Sequence, residues 1–213
     1  MKLVIFGLTA SSSWGNGHAT LWRGLCRALA ARGHDVIFFE RDVSYYAAHR
    51  DAVSPAGCDL RLYSDWESVR GEATRAVRQA DVAMVTSYCP DAQTASDLVL
   101  ESTSGLRVFY DLDTGVTLAR LTAGESVAYL RPGGLADFDL VLSYTGGRAL
   151  TELCDRLGAR RVAPLYGSVD PDAHCQVDAS EMPRADLSYL GTYASDRQRR
   201  LPIPLSTAHR RSR

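Results

Sequence analysis

The sequence predicts an α/β protein built on a doubly wound parallel sheet. Short apolar segments rich in strand-forming residues alternate with segments whose apolar residues recur every three or four positions. The first pattern is typical of strands covered on both faces, and the second is typical of amphipathic helices. A strand, helix and strand of this length imply a right-handed crossover between parallel strands. With 213 residues, 46% of them hydrophobic, the chain can form one substantial core, or one domain and part of another.

The elements follow one another in a regular order along the chain. A strand over residues 3–8 precedes a helix over residues 19–31, in which leucines lie four residues apart and which Gly33 terminates. A second strand over residues 35–40 ends in the carboxylate of Glu40. The later predicted strands cover residues 59–63, 82–87, 106–112, 140–143 and 161–165, and the later helices cover residues 66–79, 91–102, 117–121 and 149–157.

The domain organisation follows from a change in composition after the last of these strands. We expect a Rossmann-like first domain over residues 1–170 and a polar linker over residues 171–185. Residues 186–213 begin with a predicted strand and a helix start, but prolines and a basic tail without apolar periodicity follow. We expect this segment to be the truncated start of a second domain.

Composition excludes several classes of function. A formal net charge of -1 argues against a nucleic-acid binder, and no apolar run is long enough for an integral membrane segment. Five cysteines, in odd number and without a Cys-x-x-Cys pair, favour the reduced thiols of a cytoplasmic protein over a disulfide framework or a zinc site.

The loop between the first strand and the first helix is the leading candidate for a ligand site. It contains Gly15, Asn16 and Gly17 and leads into His18. Backbone N–H groups and the positive end of a helix at such a junction favour anions, above all phosphates. His18 can serve as a general base or as a hydrogen-bond partner of a hydroxyl or phosphate, or it can simply cap the helix.

Other polar residues follow the predicted strands and should meet at the same edge of the sheet, where Glu40, at the end of the second strand, is expected to contact a substrate. Asp111 and Asp113 alternate, so both would face one side if the strand continued that far. Such a pair can hold a metal with a diphosphate, bind sugar hydroxyls or orient His18, whereas the plain alternative is a solvated strand end. Thr145 and Gly146 can bind a ligand through a hydroxyl and an N–H group, or can form only a turn.

The spacing Gly15-x-Gly17-x-x-Thr20, followed by Glu40, imitates a dinucleotide-binding fingerprint. The match is weak, because Thr20 replaces a glycine or alanine and residues 9–14 lengthen the loop. An NAD(P)-dependent oxidoreductase is therefore an alternative, and a non-catalytic Rossmann-like ligand-binding module is another.

Six segments taken together resemble glycosyltransferases of the spore-protein CgeB-like family. These segments occur in order between residue 1 and about residue 198, and they are residues 14–19, 39–42, 110–114, 142–147, 164–170 and 189–193. The resemblance implies a GT-B architecture, in which two Rossmann-like domains face a cleft. It also implies that the N-terminal domain binds the acceptor and that the C-terminal domain binds a nucleotide-sugar donor.

The resemblance carries over to individual positions of this chain. It implies that the loop before His18 faces the cleft on the acceptor side and that Asp111 and Asp113 position acceptor or donor. It places Gly191, Thr192 and Arg197 in the first donor-binding loop, where a guanidinium suits a diphosphate.

The expected function is transfer of a sugar from a nucleotide-sugar co-substrate to a hydroxyl of a saccharide, protein or lipid acceptor, with His18 or one of the two aspartates as base. No bound metal or other cofactor is expected. The chain is expected to be an N-terminal fragment that is inactive alone.

Overall fold

The structure is a computed structural model that describes residues 1–103 and 105–175. The strands in this part of the chain are β1 (Lys2–Gly7), β2 (Asp35–Arg41), β3 (Asp59–Tyr63), β4 (Val82–Thr86), β5 (Leu106–Asp111), β6 (Leu140–Ser143) and β7 (Val162–Pro164). The helices are α1 (His18–Ala30), α2 (Ser44–Ala47), α3 (Trp66–Arg78), α4 (Ala92–Glu101), α5 (Thr114–Thr122) and α6 (Arg148–Leu157).

All seven strands pair in parallel in the order β3-β2-β1-β4-β5-β6-β7. The chain therefore builds the sheet outward from β1 to β3, crosses back to the other side of β1, and continues outward from β4 to β7. This order confirms the predicted Rossmann-like, doubly wound α/β fold. It also places the switch point between β1 and β4, where open sheets of this kind form a crevice at the carboxyl ends of the strands.

Alternating side chains of the strands form two hydrophobic clusters on the two faces of the sheet. In β1, Val4 and Phe6 belong to one cluster and Leu3 and Ile5 to the other, as a repeat of two residues requires. Phe6 stacks on Phe39 of the first cluster at 5.0 Å between ring centroids. The second cluster includes Trp22 and Cys26 of α1. The central strands β1, β2, β4 and β5 are therefore buried on both faces, which explains their apolar sequences.

Two of the helices differ from the sequence prediction. Helix α5 begins at Thr114 rather than at residue 117, because the hydroxyls of Thr114 and Thr117 bond back to the carbonyls of Asp111 and Asp113 and support the first turn. That turn contains threonine, glycine and valine, whose weak helix propensity hides it in the sequence. Helix α2 was not predicted, because four residues show no periodicity.

The segment after β7 packs along α1. The carbonyl oxygen of Leu165 accepts a hydrogen bond from the Tyr110 hydroxyl at 2.6 Å. The buried carboxylate of Asp170 pairs with Arg27 at 2.8 Å, beside Gly24, where an added Cβ would lie 3.1 Å from the Asp170 Cβ. Residues Met1–His174 form one compact unit. The segment predicted to begin a second domain, residues 186–213, lies outside the described residues.

None of the helices in the described part of the chain is both long enough and apolar enough to cross a membrane.

We expect the substitution Gly57→Ala to destabilise the protein more than Gly33→Ala. Both glycines have left-handed backbones, with φ of 85° and 74°. A Cβ at position 33 would point into open space, whereas at position 57 it would lie 2.6 Å from the Cys26 carbonyl oxygen. Backbone strain alone should cost about 1 kcal/mol in Gly33→Ala, and overpacking should add about 2 kcal/mol in Gly57→Ala. Urea unfolding of the two variants measures this difference, and equal losses would contradict the close contact.

Candidate active site at the carboxyl edge of the sheet

Four side chains from different loops meet at the carboxyl edge of the sheet. His18 is the first residue of α1, and its ring centroid lies 6.4 Å from that of Tyr88 and 6.2 Å from that of Tyr144. Tyr88 follows β4 and donates a hydrogen bond from its hydroxyl to Asp113 Oδ2 at 3.0 Å. Tyr144 follows β6, and Asp113 follows β5. The fold thus brings His18 and Asp113 together, as predicted, through a tyrosine that the sequence reading did not select.

The backbone at Tyr88 is strained. Its φ of 65° makes it the one non-glycine residue in the left-handed region within residues 1–103 and 105–175. The turn is fixed on the β5 side, because Ser87 N–H donates to the Tyr110 carbonyl at 3.0 Å and Ser87 Oγ accepts from Leu112 N–H at 2.8 Å. A left-handed tyrosine costs about 1–2 kcal/mol, and such strain clusters at functional sites. The observed strain therefore supports a functional role for the Tyr88 ring.

His18 lies half buried between water and the sheet edge. Burial lowers the pKa of His18 below its ordinary value of 6.5, while the negative charge of Asp113 opposes that shift. The imidazole is consequently neutral at neutral pH and can accept a proton. These properties suit a general base.

Asp111 lies inside the protein, not beside Asp113 in an open cleft. Its side chain is fully buried, Oδ1 accepts from Asp113 N–H at 3.2 Å, and Oδ2 has no hydrogen-bond partner. Burial raises the pKa of Asp111, although the hydroxyls around it oppose the shift. The two aspartates do not face the same side, because β5 ends at Asp111 and the alternation stops there. We correct the expectation of an aspartate pair accordingly: Asp113 alone reaches the edge.

Glu40 also lies behind the surface. It is fully buried, and its carboxylate accepts four hydrogen bonds from the loop between β1 and α1. The donors are the Thr9 hydroxyl at 2.8 Å, Ala10 N–H at 2.7 Å, Ser11 N–H at 3.0 Å and the Ser11 hydroxyl at 2.5 Å. With both oxygens occupied, Glu40 positions the loop and offers no surface to a substrate, which differs from the predicted substrate contact.

In the glycine loop, one N–H group at the start of α1 is already hydrogen-bonded within the protein. Asn16 Oδ1 accepts a hydrogen bond from His18 N–H at 3.0 Å, so this donor is already used within the protein. The Asn16 amide nitrogen is buried without a hydrogen-bond partner. Gly15 has a φ of 60° and lies against the Tyr45 hydroxyl, and a Cβ at Gly17 would face open space. Asn16 therefore occupies one of the free N–H groups at the start of α1, where Gly17 is the N-cap, and this role competes with the predicted direct contact to a ligand.

An exposed aromatic surface, formed by Trp14, His49 and Tyr45, adjoins this loop. The Trp14 and His49 rings stack at 4.3 Å between centroids with an interplanar angle of 8°, and Trp14 is still 53% exposed. Asp51 fixes the loop beneath them by accepting from Arg23 at 2.5 Å and from Ser13 N–H at 3.1 Å. These bonds hold the pKa of Asp51 well below its ordinary value. The flat aromatic surface is thus held in place before any ligand binds.

The predicted residues Thr145 and Gly146 lie in the turn after β6. Ser143 Oγ accepts from Thr145 N–H at 3.0 Å and donates to the Thr145 carbonyl at 2.7 Å, which fixes the turn. Gly146 contacts the Tyr166 hydroxyl closely, and Gly167 in turn contacts the Tyr144 hydroxyl. A cleft of about 570 Å³ opens between these loops and α1, and its lining consists of Thr20, Leu21, Tyr144, Gly167, Ser168, Val169 and His174.

Two further predictions concern metals and the donor. Among residues 1–103 and 105–175, no group of three or more His, Cys, Asp or Glu side chains is placed to hold a metal ion. The predicted donor-binding residues Gly191, Thr192 and Arg197 lie outside the described residues.

Sequence reasoning considered Tyr88, Tyr144 and Trp14 as stacking residues but did not select any of them as a member of the site. Tyr88 and Tyr144 follow strands at the active edge, and Trp14 lies in the loop between β1 and α1, so this position is the signal that could have identified them. Aromatic residues near strand ends more often pack into the core, so the residue type alone does not predict a ligand contact.

Replacing Asp113 with asparagine is expected to lower the pKa of His18 further. The substitution removes the negative charge that now raises this pKa, but it keeps an oxygen for the Tyr88 hydroxyl. NMR titration of the His18 ring measures the shift. Asp137→Asn, at a carboxylate that is 67% exposed, serves as the control and should leave the titration unchanged. An unchanged or raised pKa in the Asp113 variant would contradict the assigned contact.

No family model matches the chain, and no curated protein matches it in sequence. The resemblance to the CgeB-like glycosyltransferases therefore stays a prediction from the six sequence segments.

Proposed function

We propose that this chain supplies the acceptor-binding domain of a glycosyltransferase, which transfers a sugar from a nucleotide-sugar donor to an acceptor hydroxyl. The observation that carries the proposal is the neutral His18 at the sheet edge, flanked by Tyr88 and Tyr144 and linked electrostatically to Asp113. A neutral imidazole in this position can take the proton of a bound hydroxyl.

The proposed step is a direct displacement at the anomeric carbon of the donor sugar. The acceptor O–H gives its proton to His18 while the oxygen forms a bond to that carbon. The bond between the carbon and the phosphate oxygen breaks, and the nucleoside diphosphate leaves with the electron pair. Asp113 stabilises the imidazolium that forms, because the two groups interact through their charges. The positive end of α1 lies at the same edge and favours the negative leaving group.

The aromatic surface of Trp14, His49 and Tyr45 supports a saccharide as the acceptor. The apolar C–H face of a pyranose ring can pack on an exposed indole, while hydroxyls at its rim bond to nearby polar groups. Asp51 and Arg23, which form an ion pair next to Ser13 in the same loop, supply such groups. The Trp14 and His49 rings are already stacked on each other, so less conformational entropy should be lost on binding.

The position of Glu40 argues against the dinucleotide alternative. A dinucleotide-binding site needs an acidic residue at the end of β2 that is free to bond a ribose hydroxyl. Here both oxygens of Glu40 bond to Thr9, Ala10 and Ser11. Freeing the carboxylate would leave these buried donors without partners, at a cost of about 1–3 kcal/mol each.

Binding measurements on the chain test the proposal. Calorimetry with a panel of free pyranose oligosaccharides should detect binding to the wild-type chain. Trp14→Ala should weaken that binding by about tenfold, because the stacking surface is lost. Trp66→Phe, on α3, is the matched control, since its ring packs against Phe6 and Tyr63 away from the loop.

The same experiment can overturn the proposal. UDP and GDP should bind at least tenfold more weakly than the saccharides, and tight binding of either would contradict the acceptor-side assignment. NAD binding detected by nicotinamide fluorescence would favour the oxidoreductase. Failure of every saccharide to bind would remove the support for an acceptor site.

A further inference from the structure

Two cysteines that play no part in the proposed transfer lie close together at the opposite end of α1 from His18. Cys26 is fully buried on the sheet side of α1, and Cys58 lies half buried just before β3. Both pack in the same hydrophobic cluster. They are thirty-two positions apart in the sequence, so only the fold brings them together.

The backbone contact between the two segments is independent of the thiols. Gly57 lies so close to α1 that a Cβ there would be 2.6 Å from the Cys26 carbonyl oxygen and 2.7 Å from Arg27 N. Its left-handed φ of 85° turns the chain toward Cys58 at this point. The approach of Gly57 to Cys26 therefore places the following thiol next to α1.

The two thiols have different environments. The proximity of the two thiols raises the pKa of the buried Cys26 and lowers the pKa of the more accessible Cys58. The Cys58 thiol also lies 3.8 Å from the Pro55 carbonyl oxygen. Cys58 is the accessible thiol of the pair, whereas Cys26 has no exposed surface. Accessible thiols with thiolate character are the ones that oxidants attack first.

We propose that Cys58 and Cys26 form an oxidation site at which a peroxide reacts with Cys58 and Cys26 then closes a disulfide. The Cys58 thiolate attacks one peroxide oxygen, the O–O bond breaks, and the departing hydroxide takes up a proton to become water. The Cys26 sulfur then attacks the sulfenic acid of Cys58, the S–O bond breaks, and the leaving hydroxide takes the Cys26 proton. Two thiols lose two electrons in total, and one hydrogen peroxide becomes two water molecules.

The other cysteines provide matched comparisons. Cys89 is fully buried, and burial raises its pKa to about 12, so it should resist peroxide. Cys175 is exposed and should react with peroxide readily. A disulfide at Cys58 but not at Cys175 would then show the effect of the neighbouring Cys26 thiol, because exposure alone makes Cys175 the more reactive thiol toward peroxide.

The test is mass mapping of the full chain after treatment with hydrogen peroxide and blocking of free thiols. We expect a peptide pair linked through Cys26 and Cys58, with two hydrogens fewer than the reduced peptides, that disappears on reduction. Cys26→Ser should leave Cys58 as a sulfenic acid that dimedone traps, whereas Cys89→Ser should leave the linked pair unchanged. Mass mapping of the wild-type chain tests the proposal by itself, even if one of the variants does not fold.

Two results would overturn the proposal. One is that Cys26 and Cys58 both stay open to alkylation under conditions that oxidise Cys175. The other is a disulfide that joins either of them to a different cysteine. Neither result bears on sugar binding, so this site and the proposed transfer are tested separately.

Discussion

Replacing His18 with alanine is expected to slow sugar transfer by a factor of about 10²–10⁴, the usual contribution of a general base. His18 is the proposed base at the sheet edge, and alanine removes the group that takes the hydroxyl proton. Binding of the saccharide should change little, because the proton moves only in the transition state. Initial rates of transfer from a panel of nucleotide sugars to a saccharide acceptor measure the loss.

His34→Ala is the matched control. His34 lies in the turn before β2, at the opposite edge of the sheet, where its ring is 3.3 Å from the N-terminal amine. This variant should keep the wild-type rate. Equal rates in the wild type and the His18 variant would exclude His18 as the base and leave Asp113 as the candidate.

The pH dependence of the transfer rate and of the unfolding free energy should also reflect the lowered pKa of His18. Burial lowers the pKa of His18 below 6.5, so the base stays neutral, and transfer continues, to a lower pH than with a free imidazole. Because the unfolded chain binds the proton at higher pH than the folded chain, this residue destabilises the fold progressively as pH falls from 6.5 through the lowered pKa. Above 6.5 this loss is absent. Urea unfolding across that range should show a weaker pH dependence in the His18→Ala variant.

The sheet could be predicted from the sequence because its signals are local. Most strands are short apolar runs, each long helix has a repeating apolar face, and the right-handed connections leave only a few topologies for a parallel sheet. The ends of elements were harder to predict. The burial of Asp111 depends on where β5 stops. At that point Asp111 pairs with Ser143 at the end of β6, whose hydroxyl lies 2.7 Å from that of Thr114 at the start of α5.

The site could be predicted only in part, because its other contacts are long-range. His18 and Asp113 were identified from their places after a glycine loop and a strand. Tyr88 was not, since its left-handed backbone depends on bonds between the turn after β4 and β5. Glu40 is the opposite case, because it was selected as a ligand contact and the structure shows it bonded within the protein. A carboxylate at a strand end resembles a ligand contact, and the hydroxyl-rich residues 9–13 that bind it are far away in sequence.

Replacing Glu40 with alanine is expected to cost about 3–5 kcal/mol of unfolding free energy. The substitution leaves two buried N–H groups and two buried hydroxyls without their acceptor and opens a cavity beneath the loop. Because Ser11 also accepts from Arg50 at 3.0 Å, the loss should extend to the contacts around Asp42. Urea unfolding gives the total, and amide hydrogen exchange at Ala10 and Ser11 locates it in the loop.

The substitution Glu40→Gln separates the effect of the lost hydrogen bonds on stability from the effect of the lost side-chain volume. Glu40→Gln fills the same space and can still accept from Ala10 N–H and Ser11 N–H through one oxygen, but its NH₂ group meets the hydroxyls of Thr9 and Ser11 as a donor. Those hydroxyls must then accept, and their own protons lose an acceptor, so the cost should be about 1–2 kcal/mol. Glu125→Ala, at an exposed position, should stay within about 0.5 kcal/mol of the wild type. If alanine and glutamine at position 40 cost the same small amount, the loop does not depend on this carboxylate, and a free Glu40 would return the dinucleotide alternative.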